Sequence, residues 1–316
     1  VPMARFRFMA SMPVLDDRMD TWRDRVRRIE DLGFDSVAIS DHVSGGWSMD
    51  PIVAMTVAAE ATTRLRVVSA VLANDLRHPL LVHRAMANLD VFSGGRVEIG
   101  LGAGWLRADY EALGLPFDPP GLRIERLAES IDVIRTLFAG GSMSYTGKHY
   151  QLSGVTGVPA PVQRPHPPLL VGGGGRRVLE LAGRVADIVG INPRLSAQTE
   201  PGSAVADLSG DRVRQKVAWA RAGAVAAGRD PSRPEFQLSI LDLRIQHGNE
   251  EHGWTSSLAR SAPPDAISGS VAVLRGSVAG CVERLQALRD EYGISYLNLG
   301  NNLSAAALIV ARLAGT

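Results

Sequence analysis

A chain of 316 residues, 45% of them hydrophobic, can bury a large core as one big α/β barrel or as two smaller domains. With 34 Lys+Arg against 33 Asp+Glu the formal charge is +1, which excludes a global basic field for nucleic acid and a long acidic tail, so any anion site must be local. The single cysteine, Cys281, excludes a disulfide framework and a cysteine-based zinc site, and no apolar run suits a secretory signal or a membrane span, so a cytoplasmic, soluble protein is expected.

The first predicted strand is Phe6 to Ser11. A helix follows on Trp22, Val26, Ile29 and Leu32, stopped by Gly33, and a strand runs from Phe34 to Ser40. Next come a helix over Pro51 to Thr62, a strand over Leu65 to Ala73, a helix over Leu80 to Phe92 and a strand over Arg96 to Leu101. After a helix from Leu122 to Phe138, the pattern continues with a strand from Pro168 to Gly172, a helix from Arg177 to Ala182, and a strand in "ADIVGI" reached through Gly183. A helix over Arg212 to Ala227 leads to a strand over Phe236 to Ile245. A last helix (Val278, Val282, Leu285, Leu288) passes through Gly293 into the strand of "ISYLNL", before a closing helix from Ser304 to Leu313.

The join of helix, glycine and buried strand recurs, which predicts repeated αβ units and a parallel sheet. Eight strands alternating with helices suit a single (β/α)8 TIM barrel over residues 1–316. A doubly wound sheet is the rival, weakened because no G-x-G-x-x-G/A follows the first strand. Insertions at Gly140 to Pro167 and Gln246 to Val271 are expected to form lids at the C-terminal face.

Four stretches carry candidate chemistry. "SDHV" puts Asp41 and His42 at the end of the second strand: His42 as proton donor or acceptor, with Asp41 fixing its orientation or bonding a ligand N–H, or both as a cap and a packed surface residue. "VVSAVLANDLRHP" ends the third strand in Asn74, Asp75, Arg77 and His78, and reads by itself as an ordinary polar loop. "IGLGAGW" spaces Gly100, Gly102 and Gly104 so that a flat ring could lie on bare backbone, or so that a bulge packs closely; Trp105 and Tyr110 follow, as pocket wall or as core. Gly172 to Gly175 end a strand and open a helix, where backbone N–H groups and the helix dipole suit an anion, with Arg176 and Arg177 adjacent; the alternative is a flexible turn with two solvated arginines. No metal-ligand spacing and no nucleophile elbow occur.

With these residues assembled, the sequence resembles the bacterial luciferase-like family of flavin and deazaflavin oxidoreductases, and within it the branch that uses coenzyme F420. The resemblance spans nearly the whole chain. It rests on "GFDSVAISDH", "LRVVSAVLANDLRHPLLVHRAMANLDVFSGGRVEIGLGAGW", the "R…ER" helix from Arg123, "PAPVQRPHPPLLVGGGG", "ADIVGI" and "ALRDEYGISYLNL". It implies a barrel with the cofactor ring at the strand C-termini, backed by a non-prolyl cis bulge at Ala70–Val71, and the cofactor phosphate at Gly172, Gly173, Gly174, Gly175 and Arg176. Asp41 and His42 match cofactor and proton-transfer positions. Asn74, Gly102, Ala103 and Gly104 join the cofactor contacts, and Met12, Trp47, Trp105 and Tyr110 the substrate pocket.

The sequence departs from several deazaflavin enzymes after the fourth strand. Gly104 and Trp105 stand where an acid is sought, and Asp109 and Glu111 lie further on and are expected to face away. The expectation is an enzyme passing a hydride between F420 and a small organic substrate, reducing an activated C=C or C=N bond, with His42 handling the proton. The alternatives are an FMN-dependent monooxygenase fed by a separate reductase, and a non-catalytic cofactor-binding barrel. A homodimer through Pro51 to Thr62 and Leu80 to Phe92 is also expected.

Overall fold

The computed structural model describes residues 4–15, 18–196, 201–245, 259 and 262–316. Its strands are β1 (Arg7–Ser11), β2 (Ser36–Ile39), β3 (Arg66–Ser69), β4 (Leu72–Ala73), β5 (Val97–Gly102), β6 (Ser142–Thr146), β7 (Gln151–Thr156), β8 (Leu169–Gly173), β9 (Ile188–Ile191), β10 (Glu235–Ser239), β11 (Asp242–Ile245), β12 (Val273–Gly276) and β13 (Ile294–Asn298). The first helices are α1 (Met19–Asp31), α2 (Pro51–Ala61), α3 (Pro79–Phe92), α4 (Arg107–Ala112), α5 (Pro120–Ala139), α6 (Arg176–Val185), α7 (Pro201–Ala206) and α8 (Gly210–Ala226). Helices Val278–Tyr292 and Leu303–Leu313 complete the outer ring.

Nine strand segments pair in the order β3-β2-β1-β13-β10-β9-β8-β5-β4, and a further pairing of β3 with β5 closes the ring. Since β3 and β4 are two halves of one broken strand, the ring is a closed barrel of eight parallel strands. All eight expected barrel strands are present. The run Phe236 to Ile245 divides, however: β10 stays in the barrel while β11 leaves it and pairs in parallel with β12.

Local chemistry accounts for the element ends. Asp50 caps α2 by accepting from the N–H groups of Ile52 and Val53, and Pro51 and Pro79 occupy first-turn positions of α2 and α3, where a missing N–H costs nothing. Gly293 ends its helix in the left-handed conformation, φ 76°. Gly183 acts differently from the expected helix stop. It lies inside α6, where a Cβ would come within 1.8 Å of the Ala220 carbonyl oxygen, so its role is close packing of α6 on α8.

The barrel interior is filled by Met9, Ala38, Val68, Leu170, Ile188 and Tyr296, and a larger apolar layer lies between strands and helices. At the N-terminal end the interior becomes ionic. Glu98, 1% exposed, accepts from Arg66 Nε at 2.6 Å and from the Tyr296 hydroxyl at 3.0 Å, and it also pairs with Arg7, whose other arm reaches Glu235 at 2.7 Å.

The first insertion is a β6–β7 hairpin rather than a free lid. Leu152, Val155 and Met143 pack on Val133 and Leu137 of α5, and Glu129 accepts from the N–H groups of Lys148, His149 and Tyr150 to hold the turn. Of the second insertion, residues 246–258, 260 and 261 lie outside the described residues. Among the described residues no helix is long and apolar enough to cross a membrane, and no group of three or more metal-ligating side chains is placed to hold an ion.

Behind the hairpin, His83 is buried against Phe138 with ring centroids 4.5 Å apart, and its Nε2 has no hydrogen-bond partner among the described residues. Burial pushes its pKa down to about 4. The unfolded chain therefore binds this proton near pH 6.5 and the native protein only near pH 4. Stability is expected to be unaffected by His83 above pH 6.5 and to fall by up to about 1.4 kcal/mol per pH unit as pH drops toward 4. Urea titrations across that range should show the slope in the native chain and its loss in His83→Leu; equal slopes would refute the assignment.

Candidate active site

Loops after the strand C-termini build the barrel mouth, and His42 lies in the loop that follows β2. Its Nδ1 lies 2.7 Å from Asp109 Oδ2, while Asp109 Oδ1 accepts from the N–H groups of Val43 (3.1 Å) and Ser44 (3.0 Å) and from the Ser44 hydroxyl (2.7 Å). One carboxylate thus gathers the loop that follows β2. Burial by itself would raise the Asp109 pKa, yet the hydrogen bonds from His42, Ser44 and Val43 outweigh it and hold the carboxyl below its usual range. This corrects two expectations: Asp109 faces inward, and Asp109 rather than Asp41 orients His42. The reason is that only Ala103–Leu106 separate β5 from α4, which keeps the first turn of α4 at the mouth.

Asp41 is buried and engaged elsewhere. Arg77 grips it with two bonds of 3.0 Å, Nε to Oδ2 and Nη2 to Oδ1, and the Ala73 N–H adds a third at 3.3 Å. Arg77 also reaches Asp50 at 2.7 Å. The hydrogen bonds with Asp41, more than burial opposes them, push the guanidinium pKa further up. The loop after the third barrel strand, which reads in isolation as ordinary polar sequence, is therefore clamped on both sides: Asp75 accepts from Arg126 (2.9 and 2.8 Å) and from the Tyr110 hydroxyl (3.0 Å), and Asn74 donates to the Tyr150 hydroxyl (3.1 Å). Arg126 of this clamp belongs to the "R…ER" stretch of the sequence.

The peptide between Ala70 and Val71 is cis. Ala70 and Val71 are half-buried and pack on the interior cluster at the mouth. A Cβ on Gly102 would come within 2.6 Å of Val71 Cγ2, one on Gly100 within 1.8 Å of the Ser69 carbonyl oxygen, and one on Gly172 within 3.3 Å of Val71 Cγ1. The glycines of the fourth barrel strand thus make room for the bulge and for Val71. Gly104 has φ +72°, and a Cβ there would be 2.2 Å from the Tyr110 hydroxyl. Gly104→Ala is expected to cost about 1–3 kcal/mol and to disturb the Tyr110–Asp75 bond, measurable as a lowered urea midpoint; wild-type stability would contradict this.

Among the four expected pocket residues the structure divides evenly. Trp47 and Trp105 flank His42, with ring centroids at 5.0 and 5.9 Å. Met12, just past the end of β1, is buried in the main apolar cluster, and Tyr110 is buried against Phe117.

At the glycine run, Gly173 accommodates Val178 and Gly174 the Pro193–Arg194 backbone, each with a would-be Cβ within 2.5 Å of its neighbour. Gly175 begins α6 with no side-chain cap, which leaves first-turn N–H groups available to an anion. Arg176 is exposed and bonded to Glu180 at 2.6 Å, and Arg177 lies 3.6 Å from Glu125. Ala103 holds its place through its carbonyl, which accepts from Arg123 at 3.2 Å.

Residues 4–242 match the model of the luciferase-like monooxygenase family, and the chain belongs to that family. It is 30% identical over 211 residues to an FMNH2-dependent dimethylsulfone monooxygenase of Pseudomonas putida, a match covering 66% of this chain and 53% of that protein. It is 32% identical over 164 residues to an F420-dependent glucose-6-phosphate dehydrogenase of Microbacterium testaceum, covering 50% and 48%. The chain thus matches about half the length of these two relatives. In fold it is similar to an F420-dependent secondary alcohol dehydrogenase solved with an F420–acetone adduct, at a TM-score of 0.78 and 18% identity, covering 98% of each chain.

Proposed function

We propose that this chain is a deazaflavin-dependent oxidoreductase that passes a hydride between coenzyme F420 and a small organic substrate, reducing an activated C=C or C=N bond. The observation that carries the reading is the His42–Asp109 pair at the mouth, between two tryptophans and beside an apolar bulge. The residues present fit such a cofactor: Val71 and Ala70 offer an apolar support for a flat ring, and the uncapped start of α6 suits its phosphate. When bound, the deazaflavin supplies the hydride chemistry.

The chain's own part is proton handling and exclusion of water. Because Nδ1 of His42 faces the Asp109 carboxylate, Nδ1 carries a proton and Nε2 is the atom left to give a proton to the substrate or to take one back. Asp109 holds the ring in that orientation and tautomer, and the two tryptophan rings beside it shield the exchange from solvent.

An FMN-dependent monooxygenase fed by a separate reductase is the second reading, favoured by Trp105 standing edge-on to His42 where a deazaflavin enzyme would present an acid. Fluorescence titrations of the purified protein with oxidised F420 and with FMN separate the two. Tighter binding of F420 with no oxygen uptake on turnover is expected; a preference for FMN together with oxygen consumption would overturn the reading. We also propose a homodimer through α2 and α3, which expose Val53, Leu81 and Phe92, to be checked by the mass in solution.

A further inference from the structure

Behind the glycine run lies a cavity of about 220 Å³ that the proposed chemistry does not use. It is lined by Gly174, Arg194, Asp207, Arg212, Lys216 and Trp219, among others. Lys216 is 2% exposed, and its ammonium donates to the Gly174 carbonyl at 2.6 Å and to Asp207 Oδ2 at 2.7 Å. Two of its three N–H groups are so used. Asp207 also accepts from the Arg194 backbone N–H at 2.7 Å, so this carboxylate, the only one among the described lining residues, is committed to Lys216 and to the loop. Among the described lining residues, that negative charge faces the three positive charges of Lys216, Arg194 and Arg212, a surplus of two on the walls of a small cavity.

The cavity is continuous with the glycine run. Gly174 belongs to both, and a Cβ on Gly175 would lie 4.0 Å from Arg194 Nε, so Arg194 stands over the start of α6. A negatively charged chain leaving an anion site at Gly174–Arg176 would have Arg194 beside it and the adjoining cavity, lined by Lys216 and Arg212, to enter. FMN ends at its phosphate. Coenzyme F420 continues past its phosphate into a chain bearing glutamate carboxylates.

We infer that this cavity is a second anion subsite that receives the carboxylate-bearing extension of the cofactor beyond its phosphate. The inference rests on the proposed deazaflavin reading and deepens it: the subsite distinguishes a cofactor with an anionic tail from one that stops at the phosphate.

The test uses fluorescence titrations of the full chain with two probes, F420 carrying its glutamates and the same deazaflavin phosphate trimmed of them. Wild type is expected to bind the tailed form about tenfold more tightly, and Arg212→Glu to bring the ratio of the two affinities near one. Arg212 is exposed, with Gln215 as a side-chain partner at 3.2 Å, so the substitution leaves the core intact, which the melting temperature verifies. Equal affinity of wild type for both probes, or an unchanged ratio in the variant, overturns the subsite while leaving the cofactor reading standing. Failure of wild type to bind either probe overturns both.

Discussion

Replacing His42 with alanine is expected to lower turnover by about two to four orders of magnitude on the acceptor that the wild type reduces, with cofactor affinity nearly unchanged. The reasoning is geometric: Asp109 occupies Nδ1 at 2.7 Å and leaves Nε2 to exchange the proton, and the His42 ring lies between the tryptophans rather than in the glycine run assigned to the phosphate. Single-turnover bleaching of the reduced deazaflavin and a separate binding titration distinguish chemistry from affinity. A variant with full turnover would remove His42 from the mechanism, and one that no longer binds cofactor would make it a binding residue. Asp109→Asn should act through His42: turnover should fall less than in His42→Ala, and the pH profile should move because the charge facing Nδ1 is gone. The contribution of Asp109 to stability has its own pH sign. With its pKa held below the usual carboxylate range, that contribution is complete above that range and is lost as pH falls through the lowered value.

The second large effect lies at the opposite end of the barrel. Glu98→Ala is expected to destabilise the protein by about 3–5 kcal/mol, because it leaves Arg7, Arg66 and the Tyr296 hydroxyl facing one another with their shared acceptor gone. Arg7 retains Glu235, which sets the upper limit on the loss. Urea unfolding should show the fall in midpoint at constant slope, and Glu98→Gln should lie between the two, since an amide oxygen still accepts but carries no charge. A loss below about 1 kcal/mol for the alanine variant would mean that the arginines find other partners at little cost. Since this cluster is at the N-terminal face, cofactor binding at the mouth should survive in whatever fraction stays folded.

Much of the fold was legible because its signals are local. Helix stops such as Gly293 act within a few residues, and buried strands announce themselves as short apolar runs. Even here a local sign could mislead: Gly183 has the place of a helix stop, yet its reason is the Ala220 carbonyl of another helix. Likewise, the alternation of Gly100, Gly102 and Gly104 was plain in the sequence, but whether a ligand or the protein filled the vacated space depended on Val71, Ser69 and Tyr110.

By itself the sequence determined the order of the barrel strands, the eight-stranded parallel barrel and, through resemblance, the position of the Ala70–Val71 bulge, and it brought His42 and the glycine run to the C-terminal face of the barrel. Those follow from periodicity, from turn chemistry and from motif resemblance, all read along the chain. Only the tertiary structure decided partners. Asp109 meets His42 across 67 residues, Arg77 takes Asp41 across 36, Arg66 meets Glu98 across 32, and Lys216 reaches Gly174 across 42. A carboxylate looks the same in sequence whether it faces solvent or a buried cation; closure of the barrel fixes which charges are brought together and stripped of water, and with that which of them orient, clamp or bind.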